Sequence, residues 1–198
     1  MPHFARGGLA GARVEEIVAD TGLSHRMLYH YFDSKEGLYG ATLELAYEQI
    51  REAERALNLG GMEPLAAMRR LVEFTFDYYV DNPHFMALLH QENLQGGSIV
   101  TKSERIRALQ SPLIESLTGL IERGTAAGVI RRPIDPIHLY IDIAGLAWFA
   151  LSNRHTLSAI FDRPMSSPEF LEERRRHVAD FVIAGVSADC PKEQHPKK

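Results

Sequence analysis

Apolar positions recur at helical spacing along nearly the whole chain, and no stretch alternates as a half-buried strand would. Val14, Ile17 and Val18 form one short stripe, and Leu28 and Phe32 form a second, with Tyr31 beside it as a further core residue. Residues 35–58 keep the pattern through Leu38, Leu45 and Ile50, and Gly60-Gly61 ends it. A helix over 64–80 follows, and Asn82-Pro83 caps and opens another that runs to about 94. Gln95-Gly96-Gly97-Ser98 reads as a loop. The stretch 102–127 is helical except at Ser111-Pro112, where proline removes a backbone bond and is expected to kink or break the helix. Asp135-Pro136 starts a helix reaching about 160, and Ser166 with Glu169, at capping-box spacing, starts the last. The expected fold is all-α: an N-terminal helix-turn-helix domain over 1–55, a larger helical domain over 56–187, and a disordered tail over 188–198 that is rich in proline and lysine.

The segment 13–34 carries the most specific signal. Gly22 suits the positive φ of a helix C-terminus, and Ser24 is a good N-cap for a helix starting at His25. Two short helices joined in this way present the second to a DNA major groove. With Leu28 and Phe32 turned inward, Arg26, Tyr29 and His30 point outward, flanked by His25 and Met27. Lys35 falls in the first turn of the next helix, where the macrodipole disfavours a cation by about 0.3 to 1 kcal/mol and a phosphate would reverse that sign. That helix start is capped by Asp33, with Glu36 three residues on, or by Ser34. The bland alternative makes His25, Arg26, His30 and Lys35 solvated surface groups and Tyr29 a cover for the domain edge.

At these residues the chain resembles the TetR family of one-component bacterial transcriptional regulators. The resemblance rests on Gly8-Leu9, Val14, Ile17, Ala19 and Gly22-Leu23-Ser24, then on Leu28-Tyr29-His30-Tyr31-Phe32 and Ser34-Lys35-Glu36-Gly37-Leu38. It implies contacts to a double-stranded DNA operator from Arg13, Ser24, His25, Arg26, Met27, Tyr29, His30 and Lys35. The chain departs from the family pattern in three places. Only Phe4-Ala5-Arg6 reads as the last turn of the family's first helix, with Gly7-Gly8 as its C-cap, so that helix is expected to be truncated and its domain marginal. Arg13 follows Ala12 where Ser or Thr is usual, and Arg26-Met27 is bulkier and more cationic than the family's small residues.

The larger domain is implied to hold a small-molecule inducer, with Tyr78, Phe85, His90, Asn93, Trp148, Phe149 and Asn153 as candidate wall residues. The 92–97 loop and the entry at 134–136 look similar to regulators of pyrimidine and small organic acid catabolism. A helix over 137–151 that is apolar almost all round suits one face on the core and another on a partner. The resemblance implies that it joins the last helix in a homodimer interface, for which Ile141, Trp148, Leu171, Val178, Phe181 and Val182 are the candidates. Most relatives of this kind repress, and release by an inducer is the expected mechanism.

Composition modifies this picture in two ways. The 198-residue chain carries a net charge of −4, and residues 1–55 hold more acids than bases, so any DNA affinity depends on the local cluster of Arg13, His25, Arg26, His30 and Lys35. Cys190 is the only cysteine, and the 137–151 stretch is interrupted by Asp142 and shorter than a membrane span, so a reducing cytoplasm without membrane insertion is expected. No metal or cofactor motif is present. An enzyme would have to use His84, His90 and Glu92, without the His-Glu-x-x-His, paired-cysteine or phosphate-loop patterns that support such chemistry. A second alternative is a dimeric ligand-binding protein that has lost DNA contact through truncation.

Overall fold

The computed structural model describes residues 1–131 and 133–188. Cys190 and the expected tail beyond Ala188 lie outside the described residues. Ten α-helices follow in order: α1 (Pro2–Gly11), α2 (Val14–Thr21), α3 (His25–Phe32), α4 (Lys35–Ala56), α5 (Pro64–Asp81), α6 (Pro83–Leu94), α7 (Glu104–Ala126), α8 (Pro136–Ser152), α9 (Arg154–Phe161) and α10 (Pro168–Val186). Short 3-10 turns at Leu59–Gly61 and Val100–Lys102 join some of them. The all-α expectation holds among the described residues. The one β-type pairing there is an isolated bridge between Ile130 and Ser187.

The chain packs as two compact units, one of Met1–Glu54 with Tyr78–Leu113, the other of Arg55–Asp77 with the described residues from Ile114 onward. Residues 78–113 therefore group with the N-terminal helices, whereas the sequence reading drew functional domains at 1–55 and 56–187. Within α7 the division falls directly after Pro112-Leu113. The helix runs on past that proline, so the break expected there as one of two outcomes does not occur. One missing N–H removes one bond of the ladder, and the flanking turns carry the rest.

In the first unit the expected N-terminal helical turn is part of α1, which packs against α6 and is interrupted at Gly8, where the C-cap was expected. Phe4 is only 2% exposed and meets the Tyr39 ring edge-on, with centroids 5.0 Å apart. His3 ties α1 to α2 through its Nε2 contact with Asp20 Oδ2 at 2.7 Å. Val14, Ile17 and Leu28, the inward residues of α2 and α3, are buried. The helix kinks at Gly8 (φ 61, ψ −166), a conformation open essentially to glycine and costing other residues roughly 1 to 3 kcal/mol. A Cβ there would also stand 2.8 Å from both Gln91 Oε1 and Gln95 Nε2 of α6.

In the second unit α5, α7, α8 and α10 enclose a core that includes Met68, Val72, Leu117, Leu120, Ile143, Val178 and Val182. Arg175 Nε donates to both oxygens of Asp77 (2.8 and 3.0 Å), and Arg69 Nη2 donates to Asp180 Oδ1 at 2.7 Å, joining α10 to α5. The helix expected from 135 to about 160 is two helices, α8 and α9. Phe149 O accepts from the Asn153 backbone N–H (3.2 Å), the Asn153 side-chain amide (3.0 Å) and the Ser152 hydroxyl (3.3 Å), and these short polar side chains divert the ladder at that point. Asp135 caps α8 as expected, its Oδ1 accepting from Ile137 N at 2.8 Å and His138 N at 3.0 Å. Those backbone bonds, that from His138 first, hold its carboxyl below the ordinary aspartate value. For α10 the cap is Ser167, which accepts from Phe170 N at 3.2 Å, rather than the expected Ser166.

Candidate nucleic-acid interface

The turn between α2 and α3 is built as its residue types require. Gly22 adopts the left-handed conformation (φ 69, ψ 7) and its N–H closes α2 on Val18 O. Ser24 Oγ accepts from Met27 N at 3.2 Å, satisfying one of the free donors at the start of α3. Leu28 is the one fully buried side chain of α3, and Phe32 is half-buried beside it. Around that anchor Ser24, His25, Arg26, Met27, Tyr29 and His30 are all exposed, as is Arg13 at the N-cap of α2.

Tyr31, expected in the core, is 67% exposed. Leu28 and Phe32 fill the narrow inward face of an eight-residue helix, and Tyr31 lies on the opposite flank of Leu28 from Phe32. It packs edge-on to His30 at 5.5 Å and adds a phenol to the outward surface. Its place beside Leu28 and Phe32 in the sequence does not show which flank those two side chains leave open.

Lys35 has an intramolecular role that the sequence did not reveal. Its ammonium donates to Ala10 O, the carbonyl near the end of α1, at 3.2 Å. A cation poorly placed at the start of α4 is thereby compensated by the negative end of another helix. Ser34 caps α4, accepting from Gly37 N at 2.9 Å, while Asp33 takes a positive φ of 60 in the link. His25 Nε2 stands 4.0 Å from Glu15 Oε1, and Arg13 and Arg26 have no ion-pair partner among the described residues. The cluster therefore keeps free donors for phosphate or base edges.

The other candidates are placed less uniformly. Phe85 is buried among Tyr47, Tyr78 and Tyr79, at 6.2, 5.7 and 6.1 Å, and serves the core of the first unit. His90 and Asn93 are exposed on α6, where the Asn93 amide donates to Leu89 O at 2.8 Å. In the second unit Trp148 and Asn153 are half-buried and Phe149 is exposed. A groove of about 500 Å³ in the first unit, lined by Tyr47, Thr101, Ile106, Arg107 and Gln110, contains none of the expected wall residues. Among the interface candidates Ile141 and Phe181 are exposed, and Trp148 and Leu171 half-buried. Val178 and Val182 are core residues instead, because their side of α10 faces α8 within the chain. Glu92, weighed as an acid–base group, is buried, and its Oε1 accepts from Ile99 N (2.8 Å) and Val100 N (3.0 Å). No group of three or more His, Cys, Asp or Glu side chains that could hold a metal ion occurs among the described residues.

An anchored two-helix motif with a polar, cationic second helix, followed by a helical bundle, defines a helix-turn-helix transcriptional regulator. Residues 3–42 match the family of bacterial regulatory proteins of the tetR type, and 64–182 match the tetracyclin repressor-like C-terminal domain. The chain belongs to the TetR family. It is 37% identical over 183 residues to the HTH-type transcriptional repressor NicS of Pseudomonas putida, covering 92% of this chain and 86% of that one. It is 25% identical to the HTH-type transcriptional regulator RutR of Escherichia coli strain K12, covering 92% and 84%. A TetR transcriptional regulator from Chloroflexus aurantiacus shares the fold, with a TM-score of 0.68 at 23% identity over 93% and 90% of the two chains. The expected family, fold class and regulatory function agree with these relatives.

Proposed function

We propose that this regulator is a homodimeric repressor that binds a double-stranded operator through α3 and is released from it by a small-molecule inducer. The exposed set Arg26, Tyr29, His30 and Tyr31 around the buried Leu28 carries this reading. In this reading Arg26 contacts a base edge, and Tyr29 and Tyr31 bond phosphate oxygens. Dimerisation doubles a modest local charge and sets half-sites about 34 to 36 Å apart. Release follows from an inducer's preference for a conformation with displaced reading helices, and operator and inducer then weaken each other's binding by the same factor. No helix among the described residues is long and apolar enough to cross a membrane, which accords with action in the cytoplasm, where the operator resides. Family membership supports a regulator rather than an enzyme. The burial of Phe4 and Ala5 of α1 and of Leu28 of α3 favours DNA contact over the ligand-only alternative.

The test is retardation of a duplex carrying the gene's own upstream region. Joint replacement of Arg26, Tyr29 and Lys35 by alanine is expected to weaken binding at least about a hundredfold and to flatten its salt dependence. Undiminished affinity in that variant would reject the assignment.

The proposed dimer surface is the outer stripe of α8 and α10. Ile137, Ile141 and Gly145 succeed one another at four-residue spacing on α8, as His177, Phe181 and Gly185 do on α10, all of them exposed. Phe181 is 60% exposed, which leaves a large apolar ring in solvent in the single chain. In sedimentation velocity the native chain is expected as a dimer and Phe181→Arg as a monomer of unchanged helicity, since a guanidinium facing its own two-fold mate is strongly unfavourable. A variant that sediments as the native chain does would move the interface elsewhere.

A further inference from the structure

The outward side of α3 is not uniform. Counted at about 100° per residue from the buried Leu28, Arg26 and His30 fall roughly 160° and 200° away, so both stand opposite the anchor, one helical turn or about 6 Å apart. Tyr29 and Met27 lie on the two flanks, 44% and 45% exposed. His25 lies on the flank of Tyr29, on the side of α2, where its Nε2 stands 4.0 Å from Glu15 Oε1.

The cations of the motif divide in the same way. Lys35 donates to Ala10 O and His25 stands beside Glu15, so both are engaged within the chain. Arg13 belongs to the other helix of the motif, at its N-cap. Arg26 and His30 are exposed, and neither makes a side-chain hydrogen bond or ion pair among the described residues. The Tyr31 ring meets the His30 imidazole edge-on at 5.5 Å and limits how that ring turns, while its N–H stays available.

An outer row of donors, on a helix that enters a major groove, selects the base that presents only acceptors there. Guanine shows N7 and O6, adenine sets an N–H donor beside its N7, cytosine shows a donor alone, and thymine sets a methyl group beside its one acceptor. The guanidinium fork matches both guanine acceptors at once, and an imidazole N–H needs one of them. Two side chains about 6 Å apart, along a duplex that rises about 3.4 Å per base pair, reach base pairs one or two steps apart.

We infer that Arg26 and His30 are the specificity-determining residues of α3, and that each operator half-site carries two guanines one or two base pairs apart, the first held by Arg26 through N7 and O6 and the second by His30 through N7. The inference rests on the repressor reading above and gives its operator a base content. Tyr29 and Tyr31 then fix the register of the helix on the phosphates and leave sequence preference to the two side chains that project between them.

The full native chain would be used to select duplexes from a pool randomised across two half-sites, and each guanine of the selected sequence would then be replaced in turn by 7-deazaguanine, which removes N7 and keeps Watson–Crick pairing. Two such replacements per half-site are expected to weaken native binding about tenfold each. Arg26→Ala is expected to be indifferent to the first and His30→Ala to the second, each variant keeping the other preference and the thermal midpoint of the native chain. Selected half-sites without such a pair of guanines, or variants that bind every sequence more weakly by the same factor as a lost phosphate contact would, overturn the inference and leave the repressor reading standing. A native chain that selects no sequence from the pool overturns both.

Discussion

Phe4→Ala is expected to destabilise the first unit by about 3 to 5 kcal/mol, the range for removing a fully buried aromatic ring. A ten-residue helix does not persist by itself in water, so α1 exists because Phe4 and Ala5 are buried within the unit. Loss of the ring leaves a cavity beside Tyr39 and frees the segment that carries His3 and Ala10. Their contacts with Asp20 and Lys35 then have nothing to hold them. Urea unfolding followed by circular dichroism measures the change, and amide exchange at residues 4–11 locates it. Operator affinity is expected to fall with it, because α2 and α3 lose the helix that completes their core. A destabilisation below about 1 kcal/mol would mean that α1 contributes little to the motif.

Glu54→Gln is expected to remove a pH dependence of stability that the native chain shows between about pH 4.5 and pH 7. The side chains of Arg51 and Glu54 lie one turn apart on α4, 4% and 7% exposed, with Arg51 Nη1 at 2.7 Å from Glu54 Oε2. Burial pushes the Glu54 carboxyl up to about 7, against the opposing pull of Arg51. Its folded value therefore lies above the ordinary glutamate value of 4.5, and between the two the folded chain binds the extra proton. This group's contribution to stability is then fully present below pH about 4.5 and is lost as pH rises towards about 7, by roughly 1 to 3 kcal/mol. Tyr78, half-buried nearby, is raised first by burial and then by the Glu54 charge, so it stays neutral across that window. Unfolding free energies at pH 5 and pH 7.5 should differ in the native chain and much less in Glu54→Gln. Equal slopes in the two proteins would place Glu54 in a more solvated setting than its burial indicates.

The interface was legible in the sequence where the signals are local. Gly22, Ser24 and the four-residue step from Leu28 to Phe32 specify a turn, a cap and an inward face without reference to anything distant. Tyr31 and Lys35 could not be read in that way. Whether Tyr31 is buried depends on how much of the inward face its neighbours already fill, and the partner of Lys35 is a carbonyl 25 residues earlier in the chain. Val178 and Val182 show the same limit from the other side. Periodicity marked them as apolar, but only the packing of α8 on α10 shows that they face inward and leave Phe181 outside.

The sequence alone determined the helical class, most helix boundaries, the helix-turn-helix and the family, because periodicity, caps and turn residues act over a few positions and survive without tertiary contacts. Tertiary structure decided that α1 packs on α6, that α8 and α9 are separate, and that residues 78–113 pack with the N-terminal helices. Those outcomes turn on burial and on polar groups brought together across long separations. Their energies arise only after the chain has closed on itself, so the order of residues does not display them.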